Sequence, residues 1–211
     1  MIADRIEDFV DSVTGMFCQG GSDLGGMDFS GRDMTGSDLR MSNLKRVNFS
    51  GTILRGANLS FSNLAEVNFD GADLENADLS FSNLSGVQHI DSAARPGMRM
   101  KGSNLKGLDF HGKDLHGANF SQSNLAGANF AGCDLSRANF SMCNIRGANF
   151  KGANLTGASF CQTNANSADF TNTNLTKTRF AGKPEECSTE PATRPGMPMF
   201  IQKLMSPAWW W

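Results

Sequence analysis

SFSNLAEVNFDGADLENADLSFSNL, residues 60–84, opens and closes on the same five residues, twenty apart. Between the copies a large apolar residue stands at every fifth position: Leu64, Phe69, Leu74, Leu79, Leu84. Asn or Asp immediately precedes each, and a small or branched residue (Ser62, Val67, Ala72, Ala77, Ser82) stands two before it. Five residues per repeat is neither the 3.6 period of a helix nor a simple alternation. In extended chain alternate residues share a face, so the central apolar residue and the one two before it point inward, and the Asn or Asp between them points out. The remaining two residues turn a corner. Glycine usually takes the second of them, as at Gly71 and Gly86, because it accepts a positive φ without steric cost. Separate strands in hairpins would show varied lengths and alternating polar faces, which this pattern lacks.

Read outward, the period holds from Leu24 to Leu84 without a miss and from Leu105 to Phe180 with one weak centre, Ala165. Phenylalanine gives the number of sides. It is central at 29, 49 and 69, then at 110, 130, 150 and 170, interleaved with 120, 140, 160 and 180. Each column repeats every twenty residues, so four units close one coil and like stacks on like. The stretch from Leu84 to Leu105 is one residue longer than a coil, and a bulge over Asp91 to Gly97, "DSAARPG", keeps the columns in phase. The expectation is an all-β solenoid of about eight coils, roughly 38 Å long at the usual strand spacing.

Units such as ANLSF, ADLEN, ANFAG and ANLTG resemble the A-[DN]-L-x-x units of the pentapeptide-repeat family. The resemblance covers most of the chain between residues 22 and 182 and implies a right-handed quadrilateral β-helix without catalytic function. It also brings two functional precedents. Some relatives bind DNA gyrase as mimics of duplex DNA and protect it from quinolones; others are bacterial effectors delivered into host cells.

Residues 1–21 read as a helix capping the first coil, with Ile2, Ile6, Phe9, Val10 and Val13 on one stripe. Residues 22–182 form the repeat, with the bulged coil at 85–104, and 183–211 read as a polar linker and a short apolar tail ending in Trp209, Trp210 and Trp211. RPGM occurs at both 95–98 and 194–197. Residues 1–21 lack the apolar core of a secretory signal, and no stretch reaches the ~20 apolar residues of a membrane span. Five cysteines without CxxC spacing suggest reduced thiols and a cytoplasmic setting. Cys133 and Cys143 take inward slots and Cys161 an outward one. His111 and His116 lie outward on adjacent sides with no ligand set to complete a metal site. Nothing points to catalysis, a cofactor or direct binding of nucleic acid.

Two features need an explanation. Arg32 and Lys113 occupy inward slots, where an unpaired charge is costly. Arg32 can leave through the open end, and Asp91 in the bulge is the best partner for Lys113. Secondly, the corner glycine is replaced by a large apolar residue at Met41, Phe61, Phe81 and Met142, all on one side of the square. The first three fall in consecutive coils and predict an outward ridge, a contact surface for a protein partner, a second copy, or the chain's own N-terminal stripe or Trp tail. A duplex mimic needs a strongly negative surface, whereas residues 22–182 hold 15 Lys and Arg against 14 Asp and Glu. The prolines of the tail also depart from the C-terminal dimerisation helix of the gyrase-binding relatives. The reading preferred is therefore an interaction scaffold.

Overall fold

The computed structural model describes residues 21–180. Each pentapeptide supplies one parallel β-bridge, and successive bridges join residues twenty apart, as in Asp23–Asn43–Asn63–Asn83. Two bonds make each bridge: the Leu24 N–H donates to the Asn43 carbonyl, and the Asn43 N–H donates to the Ser22 carbonyl, both at 2.9 Å. At the corners the chain closes a β-turn, for example from the Met27 N–H to the Leu24 carbonyl at 3.1 Å, with Gly26 at φ +74°. Four ladders result, and they define four faces. Face A runs from Asp23 to Asn164 and face D from Asp38 to Arg179, each through eight rungs without a break. Face B stops at Gln88 and resumes at Asp109; face C stops at Asp73 and resumes at Asp114.

The interruption lies where faces B and C break. His89 adopts φ 56° and starts a single helical turn, α1 (Ile90–Ala93). Backbone acceptors lost there are partly replaced by a side chain: the Gly71 N–H donates to Ser92 Oγ at 2.9 Å. Arg95 donates from Nη1 to the carbonyls of Ser92 and Ala94, both at 2.9 Å, and so caps the turn. The Gly97 N–H then donates to the His116 carbonyl, and the register is recovered. Ile90, Ala93, Met98 and Met100 are buried and keep the core filled across the break.

The core is a stack of rings. Phe29, Phe49 and Phe69 stack at 5.7 Å. Beyond the interruption two Phe columns stack at 4.8–5.1 Å and meet each other edge to face at 5.4–6.3 Å. Both are favourable aromatic geometries.

Outside, the amides form ladders with a direction. Asn43 Nδ2 donates to Asp23 Oδ1 at 2.8 Å, Asn63 to Asn43 at 3.2 Å and Asn83 to Asn63 at 3.2 Å. Each Nδ2 thus points to the preceding rung, while Oδ1 also receives the N–H two residues on, as from Ala65 to Asn63 at 3.3 Å. Among the described residues, a first rung has no rung above it to receive an N–H. Aspartate stands at all four such positions (Asp23, Asp28, Asp33, Asp38) and again where the broken ladders resume, at Asp109 and Asp114. A carboxylate fits because it offers acceptors only.

The capping helix expected at the N-terminus and the tail with Trp209, Trp210 and Trp211 fall outside the described residues, as does the second RPGM.

Candidate interaction surface

Face D turns into face A at the corner that carries the large residues. Met41 and Phe61 are each 60 % exposed, Phe81 42 % and Met142 55 %. Phe61 and Phe81 stack at 4.8 Å with their planes 12° apart. The Phe81 ring lies over Gly102: a Cβ there would stand 2.3 Å from Phe81 Cδ1. Lys101 Nζ sits 5.8 Å from the centroid of the same ring. The column continues through Gln122, whose Nε2 approaches Met142 Sδ at 3.9 Å.

These residues are also costly to the backbone. Met41, Phe61, Phe81 and Met142 have φ between 56° and 62°, the left-handed region that glycine fills at most other corners. For a residue with a side chain that region costs roughly 1–2 kcal/mol. A serine from the next coil bridges the open corner. Ser62 Oγ accepts the Ser42 N–H at 3.2 Å and donates to the Leu39 carbonyl at 2.7 Å, so a hydroxyl stands between the two groups that would close the turn. Ser82 does the same beneath Phe61, and Ser103 beneath Phe81. The serines of SFSNL therefore build the corner on which the ridge stands. Sequence reasoning took them only as small inward residues; the signal was a hydroxyl recurring at one slot of one face. It also passed over Lys101, marked only by its place immediately before Gly102.

The charges separate by face. Along the ridge, over residues 37–46, 57–66, 77–86 and 98–107, there are three carboxylates and six cations. All three carboxylates are engaged: Asp38 with Arg40 at 2.9 Å, Asp78 with Arg99 at 3.5 Å, and Glu66 with Lys45 and Arg46 at 3.3 and 2.8 Å. Lys101 and Lys106 form no ion pair among the described residues. Hydrogen bonding from Arg46 holds the Glu66 carboxyl below its usual range. Face B is the acidic side, with Asp28, Asp70, Asp91, Asp109 and Asp169 against Lys151.

The expected Asp91–Lys113 pair does not form. Asp91 and Lys113 are both partly exposed and neither makes an ion pair among the described residues. Asp91 sits within α1, and Lys113 meets water instead of a carboxylate. Arg32, in the first rung, is likewise partly exposed. Cys161 is a correction to its outward reading: it is 4 % exposed, with Ser159 Oγ 3.3 Å from its sulfur, and it is disulfide-bonded, so the cysteines are not all reduced. Cys133 and Cys143 are free and buried, and burial raises their thiols to about 11 and about 12. His116 Nδ1 lies 3.1 Å from Asp114 Oδ1. Among the described residues no group of three or more His, Cys, Asp or Glu is placed to hold a metal ion, and no helix is long and apolar enough to cross a membrane.

Several solved structures are similar to this chain. One is HetL, a pentapeptide repeat protein involved in heterocyst differentiation regulation from the cyanobacterium Nostoc sp. strain PCC 7120: 20 % identity, 82 % of this chain and 94 % of that one covered, TM-score 0.32. A pentapeptide repeat protein of the Arabidopsis thaliana thylakoid lumen shares 23 % identity over 87 % of this chain and 77 % of its own, with TM-score 0.27. Full-length QnrB1, a plasmid-mediated fluoroquinolone resistance protein, shares 19 % over 75 % and 86 %, with TM-score 0.33. No curated protein sequence matches the chain. The sequence profile "Pentapeptide repeats" matches in eight copies, over residues 20–51, 52–87, 96–122, 114–152 and 143–182. With more than half of its length matched and its ladders stepping by twenty residues, this chain belongs to the pentapeptide-repeat family.

Proposed function

We propose that the protein is a non-catalytic scaffold that binds a protein partner through the ridge of Met41, Phe61 and Phe81. One observation carries the reading: three consecutive coils place a bulky, exposed side chain in the left-handed corner where glycine would be free of strain. Other corners also hold residues with side chains, but those are polar or charged; large apolar side chains at this conformation occur only in this column among the described residues. Met27 and Ile53 are exposed singly, whereas a contiguous exposed apolar line is the mark of a contact surface. Met142 stands in the same column but apart from this line, beyond Gly102 and Gln122, and would add a separate contact. The test is the double variant Phe61→Ser with Phe81→Ser, compared with the wild type by light scattering and by pull-down. Loss of a bound protein or of self-association, with the fold retained, supports the proposal. Unchanged mass and binding refute it.

The acidic face B favours a second reading, duplex-DNA mimicry toward a topoisomerase such as gyrase. Magnitude decides against it. Duplex DNA carries one charge per ~1.7 Å, or about 22 over a rod of ~38 Å. Face B holds five carboxylates offset by one lysine. Purified gyrase should therefore supercoil DNA, with or without a quinolone, as if this protein were absent. Stoichiometric protection would reverse the order of the two readings.

A further inference from the structure

The chemistry around the ridge says what kind of partner it suits. The two faces meeting at the ridge are net positive along its length, and every carboxylate there is already neutralised by an arginine or lysine. Two cations remain without a carboxylate among the described residues. Lys101 stands at the foot of the ridge, its ammonium 5.8 Å from the Phe81 centroid and next to Gly102, which leaves the ring room. Lys106, exposed, is five residues further along the same coil. At the other end, Arg40 precedes Met41 and is satisfied by its neighbour Asp38. The free positive charge is thus concentrated at the Phe81 end. Between the ends, the positions preceding Phe61 and Phe81 are Ser60 and Ser80, small and uncharged, so nothing bulky flanks the rings.

We propose that the ridge takes an extended segment of a partner protein in which large apolar side chains are flanked at one end by acidic residues, the apolar groups packing on Met41, Phe61 and Phe81 and the acids reaching Lys101 and Lys106. This rests on the reading of the ridge as a contact surface and adds the polarity of what it contacts. Apolar groups bury the exposed faces of the rings, and a carboxylate beside Lys101 gains a charge-assisted contact next to a ring already engaged by that ammonium. A basic segment would meet net like charge, and a second copy of this chain docked ridge to ridge would set two net positive surfaces together.

The experiment is selection of a random-peptide display library on the full-length protein, followed by counter-selection on Phe61→Ser with Phe81→Ser. The expected result is a set of ridge-dependent peptides with aromatic or aliphatic residues flanked on one side by Asp or Glu. Their affinity should fall at least tenfold in Lys101→Glu with Lys106→Glu, and their salt dependence should flatten. Ridge-dependent peptides without acidic residues, or with affinity unchanged by the lysine variant, overturn this inference and leave the ridge as a contact surface. Peptides that bind the serine variant equally well, or no enrichment at all, overturn both.

Discussion

Gly102→Ala reports on the ridge through the backbone beneath it. The substitution carries two costs. The first is the left-handed corner, φ +69°, which a methyl group makes about 1 kcal/mol less favourable. The second is steric: the new Cβ would stand 2.3 and 2.5 Å from two atoms of the Phe81 ring. The ring has to swing away, and it loses its 4.8 Å stack on Phe61, worth about 0.5–1.5 kcal/mol, and part of the contact that leaves it 42 % exposed. Gly107→Ala supplies the control, because Gly107 has φ +70° and no atom within 4 Å of its added Cβ. Urea unfolding should give a loss of about 1 kcal/mol for Gly107→Ala and about 2–3 kcal/mol for Gly102→Ala. In a Phe81→Ala background the difference between the two glycine positions should vanish. Equal losses in the wild-type background, or an excess that survives removal of the ring, would refute the placement of Phe81 over Gly102.

Phe130 is fully buried between the rings of Phe110, Phe120, Phe140 and Phe150, so Phe130→Ala should cost ~3–5 kcal/mol in chemical denaturation, and a loss below 1 kcal/mol would contradict its interior place. Lys113→Met should be neutral or stabilising by the same assay, since the lysine makes no ion pair among the described residues; strong destabilisation would reveal a polar network. Asn129→Asp removes the donor of a 2.9 Å bond to Asp109 and sets two carboxylates together, so it should cost ~1–3 kcal/mol at pH 7. The repulsion raises the carboxyl pKa in the folded state, so the deficit relative to wild type should shrink as pH falls into the carboxylate range; a deficit independent of pH would refute the electrostatic part.

Much of the fold was legible because the repeat is redundant. Leu64, Phe69, Leu74 and Leu79 state the five-residue period, and the Phe columns state the four sides, so one misread unit changes nothing. Membership of the pentapeptide-repeat family implies the right-handed sense, which spacing alone does not contain. The interruption was legible as an extra residue and a Pro96–Gly97 turn, but not as α1, because four residues are too few for a helical period. Side-chain reach is what failed. An inward slot at Lys113 was read as a buried ammonium needing Asp91, yet a long side chain finds water from such a slot. Cys161 failed for the opposite reason, since an outward position can still be covered. The ridge itself was legible from three residues, Met41, Phe61 and Phe81. Its serine footing and the place of Lys101 over the Phe81 ring were not, because both depend on which groups meet across coils.

On the proposed reading the ridge serves contact and not the fold. Phe61→Gly with Phe81→Gly tests it, because glycine relieves two left-handed corners while removing both rings. Relief of about 1 kcal/mol per corner offsets the loss of the ring stack and of partly buried area, so unfolding free energy should change by no more than about 1 kcal/mol in total. Binding to a ridge-dependent partner or peptide, measured on the same sample, should be abolished. A loss of several kcal/mol with binding intact would contradict the account.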